Sequence, residues 1–307
     1  MKFISGPTAG FIALLLLAVM PQVFAGGFSF GGFGFGGGSE DSGSSNTRNI
    51  DLGKIWDTGK DLTKGFSDVS EEEESLIGRD SAAVLLGSAP LNRDRALSQY
   101  INKVGRWLAS NTERPNLPWR FAVLDTSSVN AFAAPGGYIF ITMGLLSRLN
   151  NEAELAGVLA HEISHVLRRH HVNAVKKKAR ANALKSGLDI GLSFYGQGSQ
   201  YSELLLGTVK DIYSSGLDKD DEYQSDHMGV VIAARSGYDP YGLLVVLMML
   251  DSMGAEDSDL ELMFQTHPSA RDRIEKLSAL MQTELYQYAE QPRFKQHFLD
   301  NTRIARK

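Results

Sequence analysis

The chain has 307 residues, 43% of them hydrophobic and 22% charged, enough for one large globular domain with appendages. Its net charge of −5 supplies no broad basic surface, which excludes nucleic acid as an expected partner. It has no cysteine, which excludes disulfides and the lipid-modified cysteine of a bacterial lipoprotein.

Residues 1–25 have the form of a secretory signal peptide, with Lys2, an apolar run from Phe11 to Met20, the helix breaker Pro21, and Val23-Phe24-Ala25 as a small-x-small cleavage site. The apolar run is short for a bilayer span, so export and cleavage near Gly26 are expected rather than anchoring. From Gly26 to Ser45 the chain is rich in glycine and serine with interspersed phenylalanines, a composition that does not repay the entropy of ordering glycine. This stretch reads as a flexible tether, whose phenylalanines offer weak adhesive spots for a membrane or an envelope protein. With the polar transition that follows, residues 26–66 form a linker, residues 67–290 the folded domain, and residues 291–307 a C-terminal tail.

Within the folded domain, Ser70 ahead of four glutamates reads as a capped, acidic helix start. Leu91 to Ser110 is an amphipathic helix, with Leu97, Tyr100, Ile101, Val104, Trp107 and Leu108 on one face. Trp119 to Asp125 and Gly137 to Thr142 read as strands, and Asn130 to Gly137 as a loop between them. Helices follow to the end, which makes the domain an α+β fold, mainly helical, with a small sheet ahead of the central helix. Lys176, Lys177, Lys178 and Arg180 read as a solvated basic face, and Met248, Met249 and Met253 as core.

That central helix begins at Asn151, with Glu154 three residues on in a capping-box pattern. It carries His161-Glu162-Ile163-Ser164-His165, an H-E-x-x-H pattern. On a helix the two histidines project from one face about a turn apart, a pincer for one metal ion, and Glu162 lies roughly 100° round, within reach of a water there. The pattern points to one zinc ion per chain and to peptide hydrolysis. Gly157, one turn before His161, either leaves room for a substrate or permits close packing. Catalytic zinc sites usually hold three protein ligands, and the downstream candidates for the third are Glu222, Asp226, His227 and His267. Asp218 to Gly229 reads as an acidic helix start on which Glu222 and Asp226 share a face, so that Glu222 can ligate the metal while Asp226 accepts the remaining N–H of a histidine ligand.

Four segments taken in order carry a resemblance: N-A-F-A-A-P-G-G from Asn130, E-A-E-L-A-G-V-L-A-H-E-I-S-H from Glu152, E-Y-Q-S-D from Glu222, and T-H-P-S-A-R-D-R-I from Thr266. The chain resembles the zinc metalloendopeptidase family that includes the CAAX prenyl protease, HtpX and the periplasmic proteases BepA and LoiP. The resemblance implies a zincin-type fold with His161, His165 and Glu222 as metal ligands, Glu162 as general base, and Asp226 supporting a ligand from behind. It also implies an exported, periplasmic enzyme acting on unfolded or misfolded envelope proteins.

For the developing oxyanion His267 is the leading donor, ahead of Arg271 and Arg273. An extended substrate is expected along Gly137, Tyr138, Ile139, Phe140, Ile141 and Thr142 by main-chain pairing. His170 and His171 match no role in the family and are expected to face solvent. The alternatives are a non-catalytic, zinc-stabilised, chaperone-like binding module, against which an intact Glu162 speaks, and an adhesive protein acting through the Phe/Gly stretch.

Overall fold

A computed structural model of the chain describes residues 70–185, 199–253, 258–267, 270–283 and 285–302. The signal-like segment, its cleavage site and the Phe/Gly stretch lie outside the described residues. So do Pro268 and Ser269.

The fold opens with helix α1 (Glu71–Ser88), whose N-cap Ser70 accepts from the Glu73 amide at 3.1 Å, and α2 (Arg95–Ser110), capped by Asp94. Strands β1 (Arg120–Leu124), β2 (Ala131–Ala134) and β3 (Tyr138–Thr142) follow, then the short α3 (Met143–Leu146) and the central α4 (Glu152–Leu167). After it come α5 (His170–Lys185), α6 (Ser199–Ser215), α7 (Lys219–Arg235), α8 (Tyr241–Met253), α9 (Glu261–Thr266), α10 (Ala270–Thr283) and α11 (Lys295–Thr302). Helices predominate and the described strands form one sheet, as the sequence pattern predicts for an α+β zincin-like domain. Among the described residues no helix is long and apolar enough to cross a membrane.

The sheet runs in the order β1-β3-β2, with β1 parallel to β3 and β2 antiparallel to it. Two sequence-based expectations change here. Ala131 to Ala134, read as part of a loop, is a strand. Alanine has low intrinsic strand preference, but the tight turn at Gly136 and Gly137, both at positive φ (74° and 93°), folds the segment back onto β3, and tertiary pairing overrides propensity. The expected substrate strand Tyr138–Thr142 is the central strand, hydrogen-bonded on both sides, so no edge is left there for a peptide.

Every residue of α4 is buried, polar ones included. A helix surrounded on all sides needs close neighbours, and Ala153, Ala156, Gly157 and Ala160 provide them. A methyl group placed on Gly157 would stand 2.6 Å from the Leu243 backbone nitrogen, and one on Gly242 would stand 2.1 Å from the Ala153 carbonyl oxygen. Gly157 therefore serves the α4–α8 contact, which decides between the two readings of that residue. The helix start is a capping box: the Asn151 side chain accepts from the Glu154 amide at 3.0 Å, and the Glu154 carboxylate accepts from the Asn150 amide and the Asn151 side chain, each at 2.7 Å.

Residues 295–302, placed by sequence in a C-terminal tail, form α11, and Phe298 is fully buried in the main core. The buried carboxylate of Glu152, at the start of α4, accepts from the Tyr100 and Tyr238 hydroxyls at 2.8 and 2.9 Å and pairs with His297 of α11. Trp107 is 53% exposed rather than on the buried face of α2, and its indole N–H donates to the Ser236 carbonyl. Met249 and Met253 pack against the core, whereas Met248 is exposed. Lys177 is exposed as expected, but Lys176 is buried on α5.

Candidate metal centre

His161 and His165 sit one turn apart on α4 with their Nε2 atoms 3.1 Å from each other. Helix α7 crosses α4 and delivers Glu222, fully buried, whose carboxylate oxygens lie 3.5 Å from His161 Nε2 and 3.4 Å from His165 Nε2. His267, at the C-terminal end of α9, completes the cluster, its Nδ1 2.8 Å from Glu222 Oε2. One ligand atom from each of these four residues lies within 4.8 Å of the others, a group able to hold a metal ion.

The geometry separates the candidates that the sequence left open. Asp226 is on the same face of α7 as Glu222 but one turn on, and it meets the opposite nitrogen of His161, Nδ1, at 3.0 Å. His227 does not join the group. Asp226 is held by Arg273 of α10 through Nε at 2.8 Å and Nη2 at 2.6 Å, a two-pronged pair, and Arg273 also reaches Glu222 at 3.4 Å. Arg273 is thus committed to the carboxylates that frame the site. Arg271 points outward, 81% exposed, towards Asp251. Neither arginine serves as an oxyanion donor in this arrangement, which leaves His267 of the three expected candidates.

His170 and His171 depart from expectation. His170 is 4% exposed and its Nδ1 lies 3.0 Å from His165 Nδ1. His171 is half-buried, its ring stacked on Tyr213. The spacing carries no signal for His170, because it lies five positions after His165 and a continuous helix would hold them apart.

Glu162, 3% exposed, lines two cavities. One runs along β2, past Ala131, Phe132 and Ala133 to Tyr213 and His267. The other is walled mainly by apolar side chains, among them Val158, Leu243, Leu247, Leu250 and Met263. The outer edge of β2 is partly spoken for: the Tyr213 hydroxyl donates to the Ala133 carbonyl at 2.7 Å, and the Ala131 amide donates to the Asn130 side chain at 2.8 Å.

Burial sets the electrostatics of the site. It pushes the Glu162 carboxyl upward, with His161 and His267 pulling the other way. Glu222 also loses solvation, but the charges of His267 and His165 override this and hold its carboxyl well below the usual range. Burial and Arg273 press His161 down, and hydrogen bonds to Asp226 and Glu222 outweigh them, lifting it to about 9. His165 is driven well below the ordinary imidazole value by burial, and His170 falls to about 4 for the same reason.

The chain is 31% identical over 218 residues to the beta-barrel assembly-enhancing protease of Escherichia coli, which covers 69% of this chain and 44% of that protein. It is 25% identical over 215 residues to the mitochondrial metalloendopeptidase OMA1 of Schizosaccharomyces pombe, 69% of this chain and 62% of the relative. Metalloprotease YcaL of Escherichia coli is 23% identical over 237 residues, 77% of this chain and 90% of the relative. The sequence profile of Peptidase family M48 matches residues 95–281, more than half of the chain, from α2 into α10. That span contains the histidines and carboxylates of the cluster together with both cavities' walls, and the chain belongs to peptidase family M48.

Proposed function

We propose that the chain is an exported, zinc-dependent endopeptidase that hydrolyses unfolded or misfolded polypeptides of a bacterial envelope. The observation that carries this reading is the convergence of His161 Nε2, His165 Nε2 and the Glu222 carboxylate beside a buried Glu162 that opens onto two cavities. The donor set fits zinc, since two imidazoles and a carboxylate are a usual three-ligand combination. Glu222 Oε1 is also buried without a hydrogen-bond partner, an acceptor that a cation would satisfy. One zinc per chain would be held by these three residues. When bound, the metal supplies a Lewis acid that polarises the scissile carbonyl and lowers the pKa of water.

The chain's own residues do the rest. Glu162 takes the proton from the attacking water and delivers it to the leaving amine, and its burial suits it to hold the proton between the two transfers. Asp226, steadied by Arg273, accepts the His161 Nδ1–H and so directs Nε2 inward. His267 faces the substrate oxygen, with Nε2 the nitrogen left for it because Nδ1 is turned to Glu222. An extended peptide pairs with the outer edge of β2 rather than with β3, displacing the Tyr213 hydroxyl from the Ala133 carbonyl. The apolar cavity beside His161 and Glu162 gives the site an apolar wall for a substrate side chain of the kind that folded proteins bury and unfolded ones expose. The signal-like residues 1–25 support export, and the relative named for enhancing beta-barrel assembly supports an envelope setting.

The test is degradation of casein or another unfolded protein, with metal analysis, by the wild type and Glu162→Gln. The variant is expected to keep about one zinc per chain and to lose nearly all turnover, because the ligands survive and the proton carrier does not. Turnover retained by the zinc-loaded variant would remove Glu162 from the mechanism.

A further inference from the structure

Helices α4 and α5 are separated by Arg168 and Arg169, and Arg169 lies in the left-handed region at φ 58°. In an uninterrupted helix residues 165 and 170 would stand about 140° apart around the axis and about 7.5 Å apart along it. The turn at Arg169 instead folds the chain back, so that His170 Nδ1 reaches to 3.0 Å from His165 Nδ1. A left-handed arginine costs on the order of 1 kcal/mol. It is held by the buried Glu74 carboxylate, 3.0 Å from Arg169 Nε.

We propose that His170 is a positioning residue that fixes His165 in the tautomer able to hold a metal ion. The inference rests on the reading of His161, His165 and Glu222 as the metal site, and it follows from an account of donors and acceptors. His170 Nε2 lies 2.8 Å from Gln224 Oε1 and 3.6 Å from the Asp221 carboxylate, both on α7 and both acceptors, so Nε2 carries the hydrogen. Nδ1 of the same ring then presents a lone pair. The Ser225 hydroxyl, 3.3 Å away, can donate to it, and so can His165 Nδ1–H. With its hydrogen on Nδ1, His165 turns the lone pair of Nε2 towards Glu222 and His161.

His161 is treated in the same way by a different group, Asp226, which meets its Nδ1 at 3.0 Å. Each histidine of the H-E-x-x-H pair is therefore gripped from behind through Nδ1, one by a carboxylate and the other by a neutral imidazole. The neutral partner keeps the number of buried charges down: Asp226 has Arg273 opposite it, whereas a neutral imidazole needs no counter-charge.

The test uses the full chain and Zn2+. Affinity is measured by competition with a chromophoric chelator for the wild type, His170→Leu and His170→Asn. Leucine removes the acceptor, while asparagine returns an acceptor oxygen near the place of Nδ1. Loss of such a support typically weakens metal binding about 10–100-fold, the effect expected for His170→Leu, and His170→Asn is expected to recover to within about threefold of the wild type. In parallel, 15N NMR of the metal-free wild type is expected to show His165 with its hydrogen on Nδ1, a readout that needs no variant and that a merely space-filling His170 would not set. Wild-type affinity in His170→Leu, an asparagine variant as weak as the leucine one, or a His165 hydrogen on Nε2 in the wild type would overturn the inference. A wild-type chain that binds no Zn2+ would sink the metal-site reading instead, and the tautomer measurement would still decide the role of His170.

Discussion

Replacing Asp226 by asparagine removes one charge and almost no volume, so its effects isolate what the carboxylate does. In the wild type both oxygens are used, taking Arg273 Nε at 2.8 Å and Nη2 at 2.6 Å and His161 Nδ1 at 3.0 Å. Asparagine has one acceptor oxygen. Arg273 presents only donors, so the amide turns its oxygen to the guanidinium and its NH2 to His161. His161 Nδ1 must then accept, which moves the ring hydrogen to Nε2, the atom that faces Glu222.

Two magnitudes follow. Zinc binding must now reverse an unfavourable tautomer, and losses of this kind run to about 10–100-fold, or roughly 1.4–2.7 kcal/mol. Separately, a buried arginine loses its partner, which costs about 3–5 kcal/mol when no other charge is near. Glu222 lies 3.4 Å from Arg273 Nη1 and remains as a partial partner, so the lower end, about 3 kcal/mol, is expected. The affinity is read by competition with a chelator, and the stability by urea unfolding of the metal-free chain. If Asp226→Asn strips the metal outright while Glu222→Gln leaves its affinity intact, the two carboxylates have been given each other's roles. If metal-free stability is unchanged, the Asp226–Arg273 pair does not matter to the fold as argued.

Gly157→Ala is expected to destabilise by about 1 kcal/mol: overpacking against the Leu243 backbone costs about 1–3 kcal/mol, against roughly 1 kcal/mol gained in helix propensity. A net stabilisation in urea melts would mean that the α4–α8 contact is slack. Phe298→Ala should cost about 3–5 kcal/mol, since the ring is fully buried in the main core, and a chain with wild-type stability would show that α11 is dispensable. Acidification of the metal-free chain tests the buried histidines. His165 and His170 have folded values below the ordinary 6.5, so the stability they contribute is fully present above about pH 6.5 and is lost as the pH falls towards about 4. Each of the two takes up an extra proton on unfolding and contributes up to about 1.4 kcal/mol per pH unit, and His171, lowered to about 3 by burial, adds to the same slope. A stability flat across that window would show that these rings are not held neutral.

The helix carrying the two histidines was legible because its information is local. The i, i+4 spacing puts His161 and His165 on one face, and Asn151 with Glu154 marks where the helix starts, whatever surrounds it. The same periodicity paired Glu222 with Asp226, and family resemblance singled out Glu222 as the ligand and Asp226 as its support. Sequence spacing alone left the roles of the two carboxylates open, and only the crossing of α4 by α7 decides which one meets Nε2 and which meets Nδ1, because that depends on the relative rotation of two helices far apart in the chain.

The sheet was less legible. The β-formers of Tyr138 to Thr142 identified a strand but could not say that both its edges would be filled, since pairing is a property of neighbours, and the alanines of β2 carry no strand signal until the turn at Gly136 and Gly137 lays them against β3. Trp107, read as buried from its helical position, stays half outside, with its N–H turned to the Ser236 carbonyl. His170 shows the difference most plainly. It was expected to face solvent because it matches no role in the family, and one left-handed residue, stabilised by a glutamate nearly a hundred positions earlier in the chain, brings its ring to His165.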